Sequence, residues 1–132
     1  MAPTPHKRGT ETILLVDDER VLRRLMARVL KVEGYEVVEA GSGAEARAVW
    51  ADRADSIDLL LTDMVLPGDQ TGRQLAEALA QARPSLKIIF TSGYSPDFTA
   101  AGFTLEEGVN FLRKPHTLAQ LVRIVRNCLD GP

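Results

Sequence analysis

Short aliphatic runs alternate with longer amphipathic segments along this chain. Residues 13–16 are all aliphatic and read as a strand, ending in Asp17-Asp18-Glu19. The period then changes. Leu22, Leu25, Met26 and Val29 fall at i, i+3, i+4 and i+7, with Arg20, Arg23, Arg24 and Arg28 off that stripe, so a helix follows. Gly34 ends it, as glycine commonly does after a last turn. Residues 35–40 read as a second strand, and Ser42 in the turn Gly41-Ser42-Gly43 caps a helix over about 44–51.

The central stretch is Leu59-Leu60-Leu61-Thr62-Asp63-Met64-Val65-Leu66-Pro67-Gly68. Its apolar part, with the strand set at 57–62, suits a strand buried on both faces. Asp63 ends that strand at the rim of the core, where a rigid element can present chemistry. A third helix opens at Thr71-Gly72 with Leu75, Ala76, Leu79 and Ala82 inward, and Pro84 stops it. Residues 86–90 form a fourth strand, which ends in Thr91-Ser92-Gly93-Tyr94. Pro96, Gly102 and Gly108 interrupt the segment 95–108, so any helix there is short. Residues 109–113 form the last strand and lead into Lys114-Pro115. Thr117 caps a last helix with Leu118, Leu121, Val122 and Val125 as its stripe.

Alternating strands and helices call for an α/β fold: a parallel sheet covered by helices on both faces. In such a sheet the ligand crevice lies outside the carboxyl ends of the strands. Asp17, Asp18, Asp63, Thr91, Ser92 and Lys114 all fall at those ends. Three carboxylates in one crevice repel each other unless a cation joins them or some protonate. Hard oxygen ligands suit Mg²⁺, which favours few carboxylates, several waters and a phosphate partner. Lys114 adds a point charge suited to a phosphate oxygen, and Thr91 adds a hydroxyl. A cation, an ammonium and a hydroxyl around one carboxylate describe a phosphoryl-transfer site with that carboxylate as nucleophile.

Composition narrows the function further. The chain has 132 residues, 45% hydrophobic and 26% charged, which suits one soluble globular domain. A net charge of -2 gives no basic footprint, so direct nucleic-acid binding is not expected. Cys128 is the single cysteine and has neither a disulfide partner nor metal-ligand spacing. No apolar run is long enough for a membrane span, and the polar first residues do not make a signal peptide, so a cytoplasmic protein is expected. Residues 1–11 read as a flexible arm before a single domain over 12–130.

Leu15-Val16-Asp17-Asp18-Glu19, Thr62-Asp63-Met64 with Pro67-Gly68, Thr91-Ser92-Gly93-Tyr94 and Lys114-Pro115, in this order and at these separations, closely resemble the receiver domain of bacterial two-component response regulators. The resemblance implies a flavodoxin-like (βα)5 three-layer fold with a five-stranded parallel sheet of order 2-1-3-4-5. It implies that Asp63 accepts a phosphoryl group from a phosphohistidine on a sensor histidine kinase or a histidine phosphotransfer protein. Asp18 would then bind Mg²⁺ directly, with Asp17 assisting and the backbone carbonyl of Val65 as a further ligand. Thr91 and Lys114 would bind the phosphoryl oxygens, and Phe111 would follow Thr91 as the aromatic of the switch. Pro115 would follow a cis peptide bond. The expected species is a monomer or a phosphorylation-dependent homodimer. The chain would be a signalling domain that catalyses only its own phosphorylation and dephosphorylation, not an enzyme acting on other substrates. The Thr-Ser-Gly-Tyr-Ser run looks like that of receivers attached to hybrid sensor kinases.

Some positions depart from the commonest family pattern. His116 stands where the family often has Phe, and Val65 and Gly93 occupy positions that flank the approach of water. Three other readings compete. An aspartate-nucleophile phosphatase of the haloacid type needs a second Asp two residues on, where this chain has Val65. A Rossmann module needs Gly-x-Gly-x-x-Gly after the first strand, which has Asp17-Asp18 instead. A pseudo-receiver that only docks would not need the intact acidic set and Lys114.

Overall fold

The computed structural model describes residues 10–68, 70–93 and 105–131. Its five strands are β1 (Thr12–Val16), β2 (Glu36–Ala40), β3 (Leu59–Asp63), β4 (Lys87–Ser92) and β5 (Phe111–Arg113). They form one parallel sheet of order β2-β1-β3-β4-β5, as the resemblance implies. The described helices are α1 (Arg20–Val32), α2 (Gly43–Arg53), α3 (Gly72–Ala82) and α4 (Leu118–Asp130). The irregular segment 95–108 falls largely on residues 94–104, which lie outside the described residues, as do residues 1–9 of the expected arm.

Alternation along the strands divides the core into two layers. Ile13, Leu15, Leu59, Leu61 and Ile89 face one way and pack with Met26, Ala27 and Leu30 of α1 and Leu121, Ile124 and Val125 of α4. Leu14, Val16, Leu60 and Phe90 face the other way and pack with Ala46 of α2 and Leu75, Ala76 and Leu79 of α3. All five residues of β1 and all five of β3 are buried, because these strands lie inside the sheet with helices on both sides.

Side-chain caps fix where the helices begin. Ser42 accepts from the Glu45 N–H at 3.2 Å, as expected for a cap. Thr71 with Gln74 and Thr117 with Gln120 each form a reciprocal capping box. Gly34 follows α1 at φ 105, a left-handed geometry that glycine adopts without steric cost.

The structure moves several expected boundaries. The buried face of α1 is Met26, Ala27 and Leu30 with Leu22 packed beside them, whereas Leu25 is exposed. A 3.6-residue period fits either stripe, and packing against the sheet selects the one that buries Ala27. In α4, Ile124 is buried and Val122 only partly so, while Ala82 at the last turn of α3 is exposed. The last strand begins at Phe111, not at 109. The Val109 and Asn110 N–H groups donate to the Glu106 carbonyl at 3.0 and 3.1 Å, so a turn takes the place of strand pairing. The central strand runs one residue further than expected and includes Asp63, and β4 likewise includes Thr91 and Ser92.

At the end of the sheet away from the acidic crevice, Arg126 of α4 joins three segments. It donates to Glu11 at 2.9 Å and to Asp130 at 2.8 Å, and its guanidinium lies 5.7 Å from the centre of the Tyr35 ring. Glu11 is thereby tied to the last helix just before β1 begins.

Candidate functional site

Parallel pairing brings the strand ends to one edge. Asp63 is in register with Thr91, and Thr91 with Leu112. The Met64 N–H donates to the Thr91 carbonyl at 2.9 Å, and the Lys114 N–H to the Ser92 carbonyl at 2.8 Å. The loops after β3 and β5 are therefore anchored on β4. On the other side of β3, the Asp17 N–H donates to the Ala40 carbonyl at 3.1 Å. Asp17, Asp18, Asp63, Thr91 and Lys114, singled out from the sequence, thus share one edge. Asp18, Glu19, Asp63, Val65, Ser92 and Lys114 are among the residues that line an open cleft there.

The carboxylates are held individually. The Glu19 backbone N–H donates to Asp17 Oδ1 at 2.8 Å, and the Val65 N–H donates to Asp63 Oδ1 at 3.1 Å. Arg23 donates to the Asp17 carbonyl at 2.9 Å and pairs with Glu39 at 3.0 Å, which fixes the start of the acidic loop against β2. Ligand oxygens of Asp17, Asp18 and Asp63 all lie within 4.8 Å of one another. Asp17 and Asp63 are buried and Asp18 is exposed. Among the described residues, these three side chains form the group that can hold a divalent cation.

Lys114 Nζ neutralises the buried part of this charge. It donates to Asp63 Oδ2 at 2.9 Å, Asp17 Oδ2 at 3.0 Å and Glu19 Oε1 at 3.1 Å. Burial favours the neutral amine, but the bonds to Asp63 and Asp17 outweigh it and hold the ammonium pKa above its ordinary value. Burial pushes the Asp63 carboxyl up, and the Lys114 and Val65 bonds oppose that rise without cancelling it; the nearby Asp17 charge adds to it. The two directions agree physically: one ammonium is shared by three carboxylates, so it gains more than any of them.

A stability effect follows from the Asp63 shift. A carboxyl whose folded pKa lies above its unfolded value favours the fold fully below the unfolded value, near 3.9, and loses that contribution as pH rises through the folded one. At neutral pH the penalty of the buried charge is therefore fully present. Asp63→Asn removes it, while Lys114 keeps Asp17 and Glu19. In EDTA at pH 7 this variant is expected to gain about 0.5–2 kcal/mol in urea denaturation. A loss of stability contradicts the electrostatic account.

Thr91 is 2% exposed and Phe111 is fully buried, packed in the same layer as Phe90. The Lys114–Pro115 peptide bond is cis. His116 follows it, half-buried, with Nδ1 3.3 Å from the Thr117 carbonyl oxygen. Two features of the site escaped sequence reasoning. Glu19 was visible as the third acid of a run, but nothing local pairs it with Lys114, 95 residues away. Gly72 was visible as a helix start, but its close approach to Asp63 was not: a Cβ there would lie 1.8 Å from the Asp63 carbonyl oxygen.

Residues 13–126 match the response regulator receiver domain family. The chain belongs to that family. It is 36% identical over 122 residues to the sensor kinase CckA of Brucella abortus, covering 92% of this chain and 13% of that protein. It is 31% identical over 117 residues to the response regulator receiver protein CpdR of the same organism, covering 89% of this chain and 95% of that one. Against the NtrC transcriptional regulators it matches, the chain spans about a quarter of their length. Among solved structures, the receiver domain of the hybrid histidine kinase CckA superposes with a TM-score of 0.75 at 35% identity, covering 90% of this chain and 99% of that one. A response regulator receiver protein from Sinorhizobium medicae superposes with a TM-score of 0.80 at 29% identity, covering 93% and 97%. Among the described residues, no helix is long and apolar enough to cross a membrane.

Proposed function

We propose that residues 12–130 form a phosphoacceptor domain of a two-component phosphorelay in which Asp63 takes a phosphoryl group from a phosphohistidine. The observation that carries this reading is the environment of Asp63. Its carboxylate is fixed by one backbone N–H and one ammonium at the mouth of an open cleft, beside two further carboxylates. A carboxylate oxygen of Asp63 attacks phosphorus, and the P–N bond of the phosphoimidazole breaks. The electron pair passes to the ring nitrogen, which takes up a proton. On this reading the chain is a signalling acceptor whose own chemistry is confined to Asp63, not an enzyme with a separate substrate.

The acidic set fits Mg²⁺ by its donor chemistry: three hard carboxylates within 4.8 Å, more negative charge than one ammonium balances. Asp17, Asp18 and Asp63 would hold the ion with the Val65 carbonyl, and the ion would offset charge on the transferred group. Lys114 supplies the second positive charge. Thr91, in register with Asp63, offers a hydroxyl to a phosphoryl oxygen, and Phe111, paired with Phe90 on the adjacent strand, shifts with it. The switch then reaches the surface around β4, β5 and α4. The donor is a sensor histidine kinase or a histidine phosphotransfer protein in the cytoplasm, a reading supported by the likeness to receivers of kinases and regulators.

Incubation with acetyl phosphate and Mg²⁺, followed by intact mass, tests this. One phosphoryl mass is expected on the wild-type chain with Mg²⁺ and none on Asp63→Asn. A gain that persists in the variant overturns the assignment.

A further inference from the structure

We propose that Glu19 is an internal competitor for Lys114: in the resting site its carboxylate occupies the ammonium N–H that a phosphoryl oxygen on Asp63 takes over. The inference rests on the reading of Asp63 as phosphoacceptor. An ammonium has three N–H donors and no more. In this site each has a carboxylate within 3.1 Å, from Asp63, Asp17 and Glu19, so no donor is spare. An acyl phosphate on Asp63 carries more charge and more acceptor oxygens than the carboxylate it replaces, so it draws on a second donor besides the one Asp63 already holds, and that donor must leave Asp17 or Glu19.

Burial decides which bond yields. The Asp17 side chain is 1% exposed and that of Asp63 10%, and each is gripped a second time by a backbone N–H. Glu19 is 62% exposed and lies at the cap position of α1 without capping the helix. An exposed ion pair is weak because water replaces it readily. A phosphoryl group brings more charge and several strong acceptor oxygens, so it wins the exchange. Glu19 is thus a positioning residue: it keeps the ammonium centred while the site is empty, and its release opposes binding of the phosphoryl group.

Two substitutions separate competition from plain charge repulsion. Glu19→Gln removes the charge. Glu19→Asp keeps it, but the shorter carboxylate leaves the ammonium, and Asp is a strong helix cap able to bond the free N–H groups of α1. The affinity for beryllofluoride, a phosphoryl mimic, is read by amide NMR titration of the full chain at saturating Mg²⁺. Competition predicts tighter binding by roughly two- to fivefold in both variants, the range an exposed ion pair commands. Glu19→Asp should also raise Tm through the new cap. Tightening in Glu19→Gln alone means repulsion and overturns the proposal. Unchanged or weaker binding in both overturns it too. A wild-type chain that does not bind beryllofluoride removes the phosphoacceptor reading and this inference together, an outcome distinct from the others.

Discussion

Lys114→Met is expected to cost about 3 kcal/mol of folding stability in metal-free buffer, the usual penalty for removing one partner of a buried ion pair. The substitution leaves the Asp17 and Asp63 carboxylates at the site with only one backbone N–H each. Their side chains are 1% and 10% exposed, so water takes over little of the lost neutralisation. Glu19, at the surface, loses little. Burial lowers the Lys114 pKa and the bonds to Asp63 and Asp17 raise it by more, so the folded value lies above the unfolded one. For a lysine this sign means a stabilising contribution that is complete below the unfolded value, near 10.4, and is lost only as pH rises through the folded value. The stability difference between wild type and Lys114→Met should therefore be constant from pH 7 to about 9. A second cation can replace the ammonium, so Mg²⁺ should raise the Tm of the variant more than that of the wild type. Denaturation with and without Mg²⁺ checks both statements, and equal Mg²⁺ responses contradict them.

Gly72→Ala is the second large effect, and it acts through backbone alone. The added Cβ would lie 1.8 Å from the Asp63 carbonyl oxygen, 2.8 Å from its carbonyl carbon and 3.0 Å from Met64 Cα. None of these atoms belongs to a flexible side chain, so the start of α3 and the end of β3 must separate. That breaks the bond from the Gly72 N–H to the Met64 carbonyl, 3.0 Å long, and moves Asp63, the proposed phosphoacceptor. The expected cost is about 3 kcal/mol, at the upper end for overpacking. Phosphorylation by acetyl phosphate should slow by at least about tenfold, as small misplacements of reacting groups commonly do. Gly68→Ala is the informative control. Gly68 has φ +90 but nothing within 4 Å of a Cβ, so it carries strain of about 1 kcal/mol without a clash. If the two variants lose equal stability, the close approach of Gly72 is not what that position requires.

These two residues show where the sequence is informative. Aliphatic runs and period-3.6 stripes, with Ser42 and Thr117 as caps and Thr71-Gly72 as a helix start, were enough to order strands and helices and so to bring Asp17, Asp63, Thr91 and Lys114 to one edge. Charge type and position then indicated the chemistry. What the sequence leaves open is set by packing between distant segments. Whether α1 turns Leu25 or Ala27 inward depends on the sheet it meets. The start of β5 depends on the turn closed by Glu106 and Asn110. The Glu19–Lys114 bond, the Gly72 approach to Asp63 and the tie from Arg126 to Glu11 join residues that carry no local sign of one another.

The central claim is chemical, that the carboxylate of Asp63 becomes an acyl phosphate. Borohydride reduces an aspartyl phosphate to homoserine and leaves free carboxylates intact. The chain is treated with acetyl phosphate and Mg²⁺, reduced, digested and sequenced by mass spectrometry. Homoserine at position 63, absent when Mg²⁺ is chelated, is the result this account predicts. Homoserine at Asp17 or Asp18, or no reduction in a chain that has gained a phosphoryl mass, contradicts it.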